Sequence, residues 1–143
     1  MPTIYRYRKV TDEYTTYTPQ GEGLIELCTL PDGFTYVSVP DGAVLAAEQP
    51  EQVQLEEIVP EGELKEQIKA ASVHCQLIES RMQEKIKAAY RDEDEKYLTR
   101  IAVGSLAGWY TLEPGEMELI QVFQTFIEGV RQWGRDERAK LGL

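Results

Sequence analysis

The chain reads as an α+β protein, with a small N-terminal antiparallel β-sheet followed by a C-terminal helical hairpin or three-helix bundle. Three observations predict this. Composition changes near residue 60, from Tyr, Thr and Pro to Ala, Glu, Lys, Arg, Leu and Ile, so strand and turn formers give way to helix formers. Leu64, Ile68, Ala71, Cys75, Ile78 and Met82 recur at spacings of 4, 3, 4, 3 and 4, a heptad seam flanked by charged residues. The tripeptide Pro-Asp-Gly occurs at 31–33 and again at 40–42, each time after an apolar run. The organisation expected is a β-rich module with a connector over 1–60 and a helical module over 61–143.

The elements follow in order. From Thr3 to Val10 the residues alternate, with Ile4, Arg6, Arg8 and Val10 on one face and Tyr5, Tyr7 and Lys9 on the other. Tyr14 to Thr18 continues the Thr/Tyr pattern, and Gly21-Glu22-Gly23 reads as a turn. Leu24–Leu30, Pro31-Asp32-Gly33 and Phe34–Val39 make a hairpin. Residues 43–62 form a connector in which Ala43–Ala47 is a short strand or turn. Val53, Leu55, Ile58 and Val59 add an edge strand or pack along another chain.

A first helix is expected from Glu63 to about Tyr90, its narrow stripe lying against another helix. The seam slips after Met82, where Ile86 and Ala89 carry it on, and such a slip favours a hairpin or short bundle over a long coiled coil. Asp92-Glu93-Asp94-Glu95 is read as a turn, with Asp92 or Asp94 capping a second helix over about Asp94–Gly108. That helix turns Tyr97, Leu98, Ile101, Ser105 and Leu106 inward. Pro114 opens a third, to about Arg138, with Leu119, Phe123, Phe126, Val130 and Trp133 at spacings of 4, 3, 4 and 3.

Charge and motifs narrow the function. With 25 acidic residues against 15 basic ones, the net charge of −10 repels phosphate backbones and anionic lipid surfaces, so neither nucleic acid nor membrane is an expected partner. No apolar run is long enough to span a bilayer, and the first residues lack a signal-peptide core, which points to synthesis in a cytoplasm. Cys28 and Cys75 have no CxxC partner and are read as reduced, small apolar residues.

His74, the one histidine, is an ordinary helix-surface residue. Its neighbour Cys75 points about 100° away on a helix, so the two cannot share a metal or act as a nucleophile–base pair. The acidic run at 92–95 lacks the glycine and spaced ligands of a calcium loop. No dinucleotide or phosphate-binding glycine motif is present, and Gly104-Ser105-Leu106-Ala107-Gly108 does not have the order of a nucleophile elbow. We therefore assign no catalytic residue, metal ligand or cofactor. The candidate site residues are interface residues: Tyr5 and Tyr7, from a tyrosine group that either fills a half-exposed sheet or makes contacts, and Leu64, Ile68, Cys75, Ile78, Met82, Phe123 and Trp133 from the helical stripes. The seam can be satisfied inside the chain by the Leu119–Trp133 face or by a second copy, and self-association is expected.

The arrangement of Phe34-Thr35-Tyr36-Val37-Ser38-Val39-Pro40-Asp41-Gly42, then Gln49-Pro50-Glu51-Gln52-Val53, then charged helices from Glu63, resembles small tail-fibre-associated or baseplate proteins of tailed bacteriophages. The resemblance implies a non-enzymatic virion component, synthesised in the host cytoplasm, that joins other phage structural proteins of the tail, baseplate or fibre. A tail-fibre assembly chaperone is one alternative, and a small carboxylate-dependent hydrolase is another. No functional residue carries over, because no stretch matches a fibre-chaperone signature residue by residue.

Overall fold

The sheet begins where the alternation begins. The computed structural model describes residues 1–10 and 12–143, with strands β1 Thr3–Arg8, β2 Gly21–Glu22, β3 Ile25–Thr29, β4 Phe34–Val39, β5 Val44–Leu45 and β6 Glu56–Ile58. Four of these pair in the order β3-β4-β1-β6, all antiparallel, while β2 and β5 form a separate ribbon. Four helices follow: α1 Gly62–Ala71, α2 Val73–Ala89, α3 Asp92–Ala107 and α4 Glu116–Ala139. The α+β class stands as composition predicts it, with four helices in place of three.

Register sets the faces. Tyr5 lies opposite Val37 and Tyr7 opposite Thr35, so these share one side; Ile4, Arg6 and Arg8 share the other with Ser38, Tyr36 and Phe34. Tyr7, Val37 and Val53 are buried together, with Tyr5, Tyr17, Leu24 and Leu55 packed around them. On the second side Ile4 and Tyr36 are buried, and a Cβ on Gly142 would stand only 3.2 Å from Ile4. Because both faces of β4 are covered, Thr35 to Ser38 is continuously buried. The Ser38 hydroxyl has no hydrogen-bond partner there. Ser38→Ala is therefore expected to leave stability unchanged or raise it by up to about 1 kcal/mol in urea unfolding, since it removes an unmet polar group.

The two Pro-Asp-Gly tripeptides make different turns. In the first, Pro31 takes the second position: the Gly33 N–H donates to Leu30 O (2.9 Å), and Gly33 is left-handed at φ 89 before the strands resume. In the second, Pro40 takes the first position and accepts from the Ala43 N–H (2.9 Å), so Gly42 falls at the third position, where φ is 88. Tyr14–Thr18 forms no strand. Among the described residues only Thr16 bridges, to Val10, because Asp12 Oδ1 accepts from the N–H groups of Tyr14 and Thr15 (both 2.8 Å) and bends the chain. The connector is fastened rather than loose. The Gln49 amide accepts from the Gln20 N–H and donates to the Gln20 carbonyl, both at 2.7 Å, and so prolongs the β2–β5 ribbon.

The first predicted helix breaks at Ser72. Its backbone is extended there (ψ 123); its N–H closes α1 on Ile68 O (2.9 Å), and its Oγ opens α2 by accepting from the Cys75 N–H (3.4 Å). A serine hydroxyl competes for backbone donors in this way, which is why serine favours helix starts over interiors. The break leaves Ala71 exposed and off the stripe. At α3 the acids 92–95 form the first helical turn rather than a loop, and Asp94 reaches back to the Arg91 N–H (3.3 Å).

The chain divides into two compact units, Met1–Ile78 with Asp136–Leu143, and Glu79–Arg135. Composition puts its boundary near 60, whereas packing groups α1, the start of α2 and the last turn of α4 with the sheet. In the sheet unit α1 packs against β3, and Ile68 has no exposed surface. In the helical unit α2 and α4 run antiparallel. Met82 fills the notch at Gly134, the Lys85 ammonium lies 4.7 Å from the Trp133 ring centroid, and Tyr90 meets Phe123 and Phe126. Helix α3 joins them by packing Leu98 and Ile101 on Phe123.

Candidate interaction surfaces

The nine interface candidates are placed as follows. Tyr7, Ile68, Cys75, Ile78 and Phe123 are buried within this chain, and Tyr5, Leu64, Met82 and Trp133 are half-buried. Tyr5 lies beside the Tyr7–Val37–Val53 cluster, Met82 against Gly134, and Trp133 beneath Lys85. Of the tyrosine group, only Tyr14 is fully in solvent. His74 is exposed on α2. Cys28 and Cys75 are both free and buried, and the fold brings them near each other: burial, and next the Cys75 charge, push the Cys28 thiol up to about 11. Among the described residues, no group of three His, Cys, Asp or Glu side chains is placed to hold a metal ion.

The apolar surface left free lies elsewhere. On α3 and the turn after it, Val103, Leu106 and Trp109 are 52, 91 and 64% exposed. On α4, Met117, Leu119 and Val122 are each about half exposed. Leu106 and Leu119 thus point away from the core, although their periodicity reads as inward. The signal that could have found them is the i, i+3 pair Val103–Leu106, on the side of α3 opposite Leu98 and Ile101. Val103 and Trp109 line an open groove of about 560 Å³ whose remaining walls are Asp92, Glu95, Lys96, Thr99 and Arg100. An apolar floor with a charged rim is the anatomy of a protein-binding patch.

Beside these surfaces the helical unit holds one buried carboxylate. Glu116, 5% exposed, accepts from the Tyr97 hydroxyl, from the Tyr110 hydroxyl (2.9 Å) and from the Glu113 N–H (2.6 Å). The segment is a Pro-Gly turn ahead of the helix: the Glu116 N–H donates to the Glu113 carbonyl (3.1 Å), Gly115 is left-handed at φ 87, and the Glu116 side chain reaches back to the Glu113 N–H. This pattern was readable in Glu113-Pro114-Gly115-Glu116, but the tyrosine partners were not. The Tyr97 hydrogen bond, then the Glu113 amide, hold the Glu116 carboxyl below its ordinary value, and the same bond pushes Tyr97 up to about 12.

The sign of the pH dependence follows from those shifts. Glu116 stabilises the fold above the ordinary carboxylate value of 4.5, and that contribution is lost as pH falls through its lowered value. The Tyr97 proton stabilises it below 10, and that contribution is lost as pH rises towards about 12. Glu116→Ala is expected to lower the melting temperature by on the order of 5 °C at pH 7 and to flatten the dependence at both extremes. Fluorescence of Trp109 and Trp133 reads it, because both tryptophans belong to this unit.

A smaller polar site marks the sheet. The Arg6 and Arg8 guanidinium groups lie 4.5 and 4.3 Å from the Phe34 ring centroid. Arg6 also pairs with Glu56 (2.8 Å), and Arg8 donates to the Asp32 carbonyl (3.1 Å), so both arginines are engaged within the chain. No helix among the described residues is long and apolar enough to cross a membrane. Comparison of this chain with protein-family models, with curated proteins and with solved structures gives no match in any of the three.

Proposed function

We propose that the protein is a non-enzymatic adaptor of a tailed-phage virion that joins tail, baseplate or fibre components, and copies of itself, through protein–protein interfaces. The observation that carries this reading is the exposed apolar set Val103, Leu106 and Trp109, a leucine and a tryptophan in solvent beside a groove with a charged rim. Burying two such side chains against a partner is worth several kcal/mol, and tryptophan is enriched among the residues that dominate binding. The arrangement of parts described in the sequence supports the virion setting. The state of Glu116 favours this reading over a carboxylate-dependent hydrolase. Such an enzyme needs two carboxylates converging in one cleft, whereas among the described residues Glu116 is the one buried carboxylate and its oxygens are taken up by Tyr97, Tyr110 and the Glu113 N–H.

Mass spectrometry of purified particles, with light scattering of the isolated protein at two concentrations, tests the proposal. The protein is expected at stoichiometric amounts in mature virions. Leu106→Ser with Trp109→Ser is expected to remove it from them without unfolding it. Absence from mature particles together with a fibre that needs co-expression would transfer the role to assembly chaperone.

A further inference from the structure

The sheet has two edges, and only one is blunted. At β3 the register shifts between Glu26 and Cys28, a bulge that disrupts pairing from outside, and α1 packs against that strand. At the other edge β6 pairs with β1 in unbroken register, Ile58 to Ile4, Glu57 to Tyr5 and Glu56 to Arg6, and among the described residues no strand lies on its outer side. Backbone donors and acceptors on that side are a template for one more strand.

Two features around β6 define what would fit. The first is apolar. Val59 is 77% exposed, and Ile4, Ile58, Val59 and Pro60 wall a cavity of about 400 Å³ to which Glu57 and Lys65 also contribute. The second is charge. From Val10 to Leu64 the chain contains no lysine or arginine, and six glutamates fall between Glu48 and Glu63. Of those six, Glu56 alone forms an ion pair among the described residues. The sheet unit as a whole carries 15 acidic and 7 basic residues, against 10 and 8 in the helical unit, so the negative field is concentrated on this side of the sequence.

We infer that β6 receives an extended, basic segment of a partner protein, which adds to the sheet as a fifth strand. Its backbone pairs with Glu56–Ile58. Its apolar side chains lie on the Ile58 side, where Ile4 and Ile58 wall the cavity, and the alternating lysines or arginines lie on the side of Glu57 and Glu61. The inference gives the adaptor reading a partner class, and its test does not depend on finding the protein in particles.

The test uses the full chain and a fluorescein-labelled peptide of alternating lysine and valine, followed by anisotropy. Binding is expected at ~50 mM salt and should weaken at ~500 mM, as screening shortens the reach of the glutamates. An otherwise identical peptide N-methylated at alternate residues keeps charge and side chains but loses its pairing donors, and it should bind about tenfold more weakly. Glu57→Lys, at an exposed position, should weaken the unmodified peptide several-fold. Amide shifts in NMR spectra should map to residues 56–59. Equal affinity for both peptides, or no binding at the lower salt, overturns the inference, and this comparison stands on the unmodified protein whatever the variant does.

Discussion

Replacing Ile68 by Asp is expected to remove about 4 kcal/mol from the stability of the sheet unit, a large share of the roughly 5–15 kcal/mol that a domain possesses. Ile68 is the one α1 residue with no exposed surface, on the helix that covers β3. The substitution removes a buried aliphatic chain, worth about 2–3 kcal/mol of transfer free energy, and places a carboxyl where no partner waits. Such a carboxyl takes up a proton rather than ionise, so the loss should shrink as pH falls towards 4. Ile68→Val separates the contributions, because it removes one methyl and no more; about 1 kcal/mol is expected. Urea unfolding followed by far-ultraviolet circular dichroism gives both values. An Asp variant as stable as the parent would mean that α1 does not cover the sheet.

That prediction depends on a residue singled out by periodicity alone, and it shows what periodicity conveys. The alternation in Thr3–Arg8 divides β1 into the two faces that the register displays, because side chains of a strand must alternate. The 3.6-residue spacing identifies Ile68, Cys75, Ile78, Met82 and Phe123 as chain-facing positions, for the same kind of geometric reason. Less was legible where one side chain decides the backbone. Ser72 reads as a tolerable helix residue between Ala71 and Val73, and its role as cap of two helices depends on burial that only the tertiary fold creates. Gln49 reads as linker, and its clamp on Gln20 spans 29 residues of sequence. The exposed set at Val103, Leu106 and Trp109 was hidden because an apolar residue on a helix is first assigned to the core, and α3 is apolar on more than one side.

The same distinction between core and surface yields the second large effect. Phe123→Ala is expected to cost the helical unit about 3–5 kcal/mol, read by the fluorescence of Trp109 and Trp133 during urea unfolding. Phe123 is the point where three helices meet. It packs on Leu98 and Ile101 of α3, and its ring stands edge-to-face to Tyr90 after α2, with centroids 4.9 Å apart at 77°. Truncation leaves a void bounded by all three, which cannot close without moving a helix, so the cavity adds to the lost transfer free energy. Phe123→Leu retains most of the volume and should cost less than half as much. Leu106→Ser, by contrast, should change stability by less than about 0.5 kcal/mol, because a side chain 91% exposed contributes little to the folded state. If Leu106→Ser destabilises the unit as Phe123→Ala does, Leu106 belongs to the core in solution and the adaptor surface loses its centre. If Phe123→Ala is cheap, α4 does not organise the three helices, and the groove at Trp109 has no rigid frame on which to present itself.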